Sequence, residues 1–288
     1  MRALLIVPGL FVALIAGCSG SESAPGASGG SGGSGDGSSS GVDGSTPASS
    51  GGTTSGGPGD AASDGPATGA VDPPLAGSSK GTGGAVPVAG TALTAQGITY
   101  RLIVPGAYAG AATPLLVVFS GTEGGATMTQ NLTSLGPSTK TDGMIRAVLD
   151  GVTYNGNGQA GATVLDAVRA KYNIDNDRTY LMGESAGTTA ALKLGFHLRP
   201  SYFAAYWAND VNASDAPEKN ASALGFKPHG QAGPGGDLTD ATAIVTAMKN
   251  AGYRVPTPAP YAGPGSTEHG NTQQLIAAVT FLADKNRN

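Results

Sequence analysis

The segment KYNIDNDRTYLMGESAGTTAALKLGF, residues 171–196, combines a strand pattern, a glycine-flanked serine and a helix pattern. Its segment RTYLMG is a short apolar run typical of a buried strand, and Ala186–Leu198 continues with the apolar pattern of a helix. Between the two, Ser185 is flanked by Gly183 and Gly187. A sharp strand-to-helix turn would lift the serine hydroxyl above the sheet edge and leave no room for a Cβ two residues to either side. The stretch therefore predicts Ser185 as a nucleophile.

The pattern G-x-S-x-G is weak on its own, because the chain contains 48 glycines. Gly26–Gly30, Gly29–Gly33 and Gly77–Gly81 match it as well. None of these three matches follows a predicted strand or precedes a predicted helix. The surroundings, and not the pattern, single out Ser185.

The N-terminus has the features of an export signal. Met1 and Arg2 precede an apolar run that is shorter than the ~18–20 residues needed to cross a bilayer. The segment Ile15–Cys18, IAGC, resembles a bacterial lipobox, and Cys18 is the single cysteine of the chain, so no internal disulfide can form. Residues 1–18 are predicted to be a lipoprotein signal peptide, with Cys18 lipidated and the protein anchored to the cell envelope, at the outer membrane or cell surface. An ordinary signal peptide is the alternative.

Composition divides the rest of the chain. Residues 19–84 contain almost no apolar side chains and predict a disordered Gly/Ser-rich linker, because burial could not offset the ~1–2 kcal/mol of backbone entropy lost per ordered residue. Residues 85–288 have an ordinary globular composition and suit one domain, which we expect to be monomeric. The net charge of −4 and the absence of a basic cluster in the sequence argue against a nucleic-acid partner.

Extended and helical patterns alternate within this domain, which predicts an α/β fold with a mainly parallel sheet flanked by helices on both faces. Ligands of such sheets bind beyond the carboxyl ends of the strands. Little or no lid is expected, because the chain has no room for a large insertion. The predicted strands are Gly97–Pro105, Pro114–Gly121, Met144–Gly151, Arg178–Gly183, Tyr202–Asn209 and Ala223–Pro228, and the predicted helices are Ala162–Asn173, Ala186–Leu198, Asp240–Gly252 and Asn271–Lys285.

Two segments carry a resemblance to a known superfamily. YNIDNDRTYLMGESAG resembles the nucleophile segment of secreted esterases of the α/β-hydrolase superfamily, in particular feruloyl-esterase-like and polyhydroxyalkanoate-depolymerase-like enzymes. ITYRLIVPGAYAGAATPLLVVFSG resembles their opening strands, and the similarity covers most of Ala85–Asn288 in order. It implies the α/β-hydrolase fold and a serine esterase. The chain departs from it at Ser120, where the family usually has histidine, at Thr188, where glycine is common, and in the region of the acid.

A serine hydroxyl needs a base to remove its proton. The chain has three histidines. His269 precedes the final helix in a glycine-rich loop, where these hydrolases carry their base, and we favour it over His229, which ends a predicted strand. His197 lies inside the helix that follows Ser185 and is expected to point away from the site.

The base in turn needs a carboxylate, and the sequence leaves its identity open. The family pattern places an acid four residues after a histidine, but Gly233 stands there, and Asp237 follows four residues later. Asp237 also fits the N-cap of a helix. Asp210, just after the strand that ends at Asn209, is the slightly favoured alternative, and Asp215 is a distant third. Trp207 is close enough in sequence to reach the same site.

The oxyanion of an acyl-transfer intermediate needs two backbone N–H groups. We predict those of Ala186, the residue after the nucleophile, and Thr122, in the loop after VVFSG. Gly121–Gly125 lacks the lysine of a phosphate-binding loop, and no ligand spacing for a metal occurs, so no cofactor is expected.

Three functions are compatible with these features. The favoured one is a surface-tethered serine hydrolase that cleaves carboxylic esters through an acyl-enzyme, with bulky or polymeric esters as the expected substrates. A serine peptidase of the same fold would differ only in substrate. A non-catalytic binding protein on a hydrolase scaffold is the third, because the family acid is missing.

Overall fold

The computed structural model describes residues 74, 76–217 and 226–287. The predicted signal peptide 1–18, with Cys18, and most of the predicted linker lie outside the described residues. Within the described part of the chain, no helix combines the length and apolar character that a membrane span requires.

The described residues form a seven-stranded sheet in the order β1-β2-β4-β3-β5-β6-β7. Strand β2 is antiparallel to both of its neighbours, and the remaining pairings, from β4 to β7, are parallel. The predicted mainly parallel sheet is therefore confirmed. The strands are β1 (Ala92–Ala95), β2 (Ile98–Ile103), β3 (Thr113–Phe119), β4 (Ile145–Leu149), β5 (Ile174–Glu184), β6 (Ala205–Asn209) and β7 (His229–Gly233).

Helices cover both faces of the sheet, as predicted. Helices α2, α3 and α4 contribute to one hydrophobic cluster, and α1 and α5 contribute to the other. After β5 the chain forms a 3-10 turn (Ser185–Gly187), then α3, then a π-helical turn (Leu194–Leu198). The helices are α1 (Gly124–Thr139), α2 (Gly158–Lys171), α3 (Thr188–Lys193), α4 (Leu238–Asn250) and α5 (Thr272–Ala283).

Strand β3 shows why the sheet is buried on both sides. Leu115, Val117 and Phe119 pack into the cluster with α2 and α3, while Leu116 and Val118 pack into the cluster with α1 and α5. All five side chains are fully buried. A continuous apolar run is what a strand between two helical layers requires, because successive side chains point to opposite faces.

Two predicted elements differ from the structure. The predicted strand Ala223–Pro228 is wrong in position: its described part, 226–228, is irregular, and β7 begins at His229. The sequence did not indicate β7 because its two glycines weaken the pattern of a strand. In the structure, pairing with β6 and packing against α4 stabilise it. Helix α1 was not predicted, since it contains Pro137 and many Gly, Ser and Thr residues.

The start of the domain also differs from the prediction. The final residues of the predicted linker, 76–84, lie against the domain instead of belonging to a disordered segment. Ser79 donates its backbone N–H to the carbonyl of Ile174 (2.8 Å) and its hydroxyl to that of Tyr172 (2.8 Å). Gly83 donates to the carbonyl of Lys171 (2.7 Å). Composition alone missed this segment because its contacts are hydrogen bonds of the backbone and of polar side chains, which need no apolar residues.

Candidate active site

Ser185 stands at the carboxyl end of the central strand β5, at the predicted turn. Its φ is +44°, in the left-handed region, which costs an ordinary residue about 1–2 kcal/mol. The serine is largely buried, with 8% of its surface exposed. Such strain at a single residue is characteristic of functional turns, and here it aims the hydroxyl away from the sheet.

The glycines on either side of Ser185 are required by close packing. A Cβ on Gly187 would lie 2.5 Å from the carbonyl oxygen of Phe119, and one on Gly183 would lie 2.7 Å from the Cβ of Ala191. Real Cβ atoms do not come this close to other atoms. Any residue larger than glycine at 183 or 187 would therefore force the nucleophile turn apart from α3 or from β3. The steric reason given for the pattern in the sequence holds in the structure.

His269 lies within hydrogen-bonding distance of Ser185. Its Nε2 is 2.8 Å from the Oγ of Ser185, although 84 residues separate the two along the chain. The histidine sits on an exposed loop that ends at Asn271, whose side chain accepts a hydrogen bond from the N–H of Gln273 (2.9 Å) and caps α5. The loop therefore holds the imidazole above the carboxyl end of β5.

The other two histidines lie elsewhere. His229 begins β7 instead of ending a strand, so it lies at the amino ends of the parallel strands, whereas Ser185 lies at their carboxyl ends. Burial, with smaller contributions from Arg254 and Lys285, lowers the pKa of His229 to about 4. His197 is in the π-helical turn and pairs through Nε2 with the carboxylate of Asp215 (2.9 Å). The structure brings neither histidine to the nucleophile.

Asp210 is the predicted carboxylate that the structure places beside the His269 loop. It follows β6 directly, is fully buried and has a φ of +48°. Its Oδ2 accepts a hydrogen bond from the N–H of Gly270, the residue after His269, and its Oδ1 accepts one from the side-chain N–H of Gln274. In the described part of the chain, Asp210 is not hydrogen-bonded to the imidazole itself. It holds the loop that carries the imidazole.

The rival acids have other partners. Asp237 is exposed and caps α4, accepting a hydrogen bond from the N–H of Asp240 (3.1 Å). This is the helix-cap role that its sequence context also allowed. Asp215, the third candidate, pairs with His197 as described above. Neither carboxylate is hydrogen-bonded to the loop that carries His269.

The loop after β3 brings Thr122 and Gly121 to the same end of the sheet as Ser185. Thr122 is exposed, and Ala186, the other predicted oxyanion donor, lies in the first turn after the nucleophile. The N–H of Gly121 donates to the carboxylate of Glu123 (2.9 Å). A Cβ on Gly121 would lie 3.3 Å from the Cβ of Ser185 and would meet the Glu123 carboxylate on its other side. Glu123 therefore lies near the nucleophile, and burial raises its pKa.

The two departures from the family pattern have structural roles. Ser120, which replaces the usual histidine, is fully buried, and its Oγ accepts a hydrogen bond from the N–H of Gly151 (3.1 Å). It therefore joins the end of β3 to the end of β4. Thr188, which replaces a glycine, donates its hydroxyl to the carbonyl oxygen of Asn209 (3.3 Å) and joins the start of α3 to the end of β6.

A buried polar network that the sequence analysis missed surrounds Asp210. Glu184, the residue before the nucleophile, accepts a hydrogen bond from the side-chain N–H of Asn209 (2.6 Å). Asn209 in turn accepts one from the indole N–H of Trp207 (2.8 Å), which makes Trp207 part of this network. Burial, followed by the charge of Asp210, raises the pKa of Glu184 well above its ordinary value. A glutamate at the end of the apolar run YLMGE was the feature of the sequence that could have indicated this buried carboxyl group.

Within residues 76–217 and 226–287, no group of three or more His, Cys, Asp or Glu side chains is arranged to hold a metal ion. The chemistry available at this end of the sheet is that of a hydroxyl, an imidazole, several carboxyls and backbone N–H groups.

The chain is similar to known proteins in structure and not in sequence. No protein-family model matches the chain, and no curated protein matches it by sequence. Among solved structures, a thermostable esterase is 16% identical with a TM-score of 0.46, and the match covers 66% of this chain and 60% of the esterase. The poly(3-hydroxybutyrate) depolymerase LpqC from Bordetella parapertussis is 15% identical with a TM-score of 0.46, covering 66% and 87%. A ferulic acid esterase from Anaeromyces mucronatus is 12% identical with a TM-score of 0.40, covering 64% and 86%.

The strand order and the nucleophile turn define the class of fold. A mixed sheet in the order 1-2-4-3-5-6-7, in which β2 alone runs antiparallel to its neighbours, with a serine on a strained turn after β5, is the α/β-hydrolase fold. The candidates also follow the chain order serine, acid, histidine of that fold, whether Asp210 or Asp237 is the acid. The fold class expected from the sequence is confirmed.

Proposed function

We propose that this protein is a serine hydrolase that cleaves carboxylic esters through an acyl-enzyme. The observation that carries the proposal is the 2.8 Å separation of the Ser185 Oγ and the His269 Nε2 at a turn strained to a φ of +44°. A serine and a histidine in hydrogen-bonding contact form the nucleophile–base pair that acyl transfer requires.

Acylation follows from this pair. His269 Nε2 accepts the proton of the Ser185 hydroxyl as Oγ attacks the ester carbonyl carbon. The oxyanion that forms is stabilised by the backbone N–H groups of Ala186 and Thr122. The imidazolium of His269 then gives its proton to the departing alcohol oxygen as the ester bond breaks. In deacylation, His269 takes a proton from water as the water oxygen attacks the acyl carbonyl carbon. The bond to Ser185 Oγ then breaks, the serine regains its proton from His269, and the carboxylic acid is released.

Asp210 is assigned the role of the acid in this mechanism. Its carboxylate is held by the N–H of Gly270 next to the base, and its negative charge stabilises the imidazolium that forms during each proton transfer. The hydrogen bond to the ring is expected to form in the complex with substrate, because catalytic hydrogen bonds are commonly long in the unliganded state.

The exposure of the site favours large substrates. His269, which contacts the Ser185 hydroxyl, and Thr122, in the loop after β3, are both exposed to solvent. An ester group within a bulky or polymeric molecule could therefore reach Ser185 without first entering a closed cavity. On this basis we propose bulky or polymeric esters as the substrate class.

Fluorophosphonate labelling combined with two substrates tests the activity. A fluorophosphonate is expected to form an adduct on Ser185, because the activated Oγ displaces fluoride from phosphorus. The protein should hydrolyse p-nitrophenyl acetate and leave peptide anilides intact. Intact, folded protein that forms no adduct would favour a non-catalytic binding protein, and cleavage of the anilides would favour a peptidase.

On this proposal the chain is also exported and held at the cell envelope by a lipid on Cys18. The lipobox-like segment and the single cysteine support it. We expect the native chain to partition into the detergent phase, and a Cys18→Ala variant to appear in the aqueous phase with its ester hydrolysis unchanged. Equal partitioning of the two proteins would contradict lipid attachment.

A further inference from the structure

Gln274 is the polar member of the buried face of α5. The other buried residues of this helix are apolar, namely Leu275, Ala278, Val279 and Leu282. Gln274 itself has no surface exposed to solvent. A fully buried amide costs stability unless both its nitrogen and its oxygen are hydrogen-bonded, so a glutamine at this position calls for a reason other than packing.

The amide of Gln274 uses its donor and leaves its acceptor without a partner. Its Nε2 donates to the Oδ1 of Asp210. Its Oε1 is buried and has no hydrogen-bond partner within the described part of the chain. The atom that faces a carboxylate must be the nitrogen, because two acceptor oxygens repel each other, so the amide cannot turn over to satisfy its oxygen. A methionine would fill a similar space without a buried unpaired oxygen, which indicates that the donor is what this position requires.

The carboxylate of Asp210 is held at both of its oxygens. Oδ2 accepts the N–H of Gly270, in the loop that carries His269, and Oδ1 accepts the side-chain N–H of Gln274. The backbone N–H of Gln274 donates to the carbonyl of Asn271 (3.0 Å), so the amide is fixed to the first turn of α5. One donor would leave the carboxylate free to rotate about its Cβ–Cγ bond, whereas two donors on different oxygens fix its plane.

Two glycines leave the space that the Asp210–Gln274 contact occupies. A Cβ on Gly233, at the end of β7, would overlap the amide oxygen of Gln274 and lie 2.8 Å from its Cδ. A Cβ on Gly235, whose φ is +54°, would overlap the Oδ1 of Asp210. The end of β7 and the turn after it therefore pack against this contact with backbone alone.

We propose that Gln274 is a positioning residue for the proposed catalytic acid: its side-chain N–H fixes the carboxylate of Asp210 in the orientation that stabilises the imidazolium of His269. The inference rests on the proposed hydrolase function and adds a fourth residue to the serine, the histidine and the acid. Gln274 acts through Asp210, because no hydrogen bond joins its side chain to Ser185 or His269 among the described residues.

Gln274→Met removes the donor and keeps the length and burial of the side chain. A carboxylate that can rotate stabilises the imidazolium less, so kcat for p-nitrophenyl acetate should fall about 10- to 100-fold, with KM within about twofold of the native value. Because the unpaired oxygen is removed together with the donor, Tm should stay within a few degrees of the native value. Gln273→Met, the same substitution at the exposed neighbouring position, is the matched control and should keep the native kcat.

The Asp210→Asn background separates positioning from a structural role. If Gln274 acts through the charge of Asp210, adding Gln274→Met to Asp210→Asn should change the rate by less than about twofold, because the charge to be oriented is already absent. A residue needed only for the fold would lower the rate by the same factor in both backgrounds. The rate of fluorophosphonate labelling of Ser185 gives the comparison where turnover is slow.

Gly233→Ala tests the same contact without changing either partner. Its Cβ would displace the amide of Gln274 from the carboxylate, so kcat should fall about 5- to 50-fold. Gly230→Ala is the matched control, because it adds a methyl group to the same strand against the end of another flexible side chain, Met248. It should lose a similar amount of stability and keep the native kcat. If Gln274→Met does not fold, this pair of variants decides.

Two results would overturn the inference. One is native kcat and native labelling in folded Gln274→Met and Gly233→Ala, and the other is an equal loss from Gln274→Met with and without Asp210→Asn. Both leave the proposed function standing, because the native protein would still be labelled and still hydrolyse the ester. Failure of the proposed function has a different signature, namely a folded native protein that forms no fluorophosphonate adduct, and it would overturn this inference as well.

Discussion

The Ser185→Ala variant is expected to lose ester hydrolysis by a factor on the order of 10⁶ in kcat, because removing the nucleophile from a serine–histidine–acid site eliminates the acyl-enzyme route. The remaining rate would come from water attack assisted by the N–H groups of Ala186 and Thr122. The variant should also lose all fluorophosphonate labelling. Steady-state kinetics with p-nitrophenyl acetate, with active-site titration of the native protein, measures the loss.

The fold should survive this change. The partner of the Ser185 hydroxyl among the described residues is His269, so the substitution removes one partly exposed hydrogen bond, worth about 0.5–1.5 kcal/mol. Alanine tolerates the left-handed φ no better and no worse than serine. Thermal unfolding should therefore stay cooperative, with a Tm within a few degrees of the native value.

Ser79→Ala is the matched control, since Ser79 is the centre of another G-x-S-x-G match, Gly77–Gly81. Its hydroxyl donates to the carbonyl of Tyr172 (2.8 Å) and accepts from the N–H of Ile174 (2.9 Å). Its loss should lower stability by about 0.5–1.5 kcal/mol per hydrogen bond without affecting kcat. Full activity in Ser185→Ala would reject the assignment of the nucleophile.

Asp210→Asn is expected to produce the second-largest effect, a loss of about 10⁴ in kcat with little change in KM. Asparagine keeps the shape of the side chain and tolerates the left-handed φ of this position, but it removes the charge that stabilises the imidazolium. The amide also has one oxygen where the carboxylate has two. Its N–H₂ group must face the N–H of either Gly270 or Gln274, which then loses its acceptor. Some loss of stability should accompany the loss of rate, so Tm and kcat are measured together.

Asp237→Asn separates the two acids that the sequence left open. Asparagine is as good a helix N-cap as aspartate, so the hydrogen bond to the N–H of Asp240 is kept and α4 should be unaffected. We expect unchanged kcat and unchanged Tm. A large loss of activity in Asp237→Asn, with Asp210→Asn near the native rate, would reverse the assignment of the acid.

The central part of the fold could be predicted from local sequence. Strands β3, β4 and β5 are continuous apolar runs, and the glycines around Ser185 mark a turn whose packing excludes any Cβ. Helix α1 could not be predicted, because its Gly, Thr and Pro residues have low helix propensity and its stability comes from burying Met128 and Leu132. Strand β7 was misplaced for the same reason, since its pairing with β6 outweighs its glycines.

The buried strands β3, β4 and β5, the serine turn after β5 and the histidine before the last helix could be recognised in the sequence alone, because each of these depends on residues within one short segment. Which carboxylate holds the loop that carries His269, and the hydrogen bond between Glu184 and Asn209, follow from the tertiary structure. Those contacts join the ends of β5 and β6 to the loop before α5. Their geometry depends on how strands distant in sequence align in the sheet, and a local pattern contains no record of that alignment.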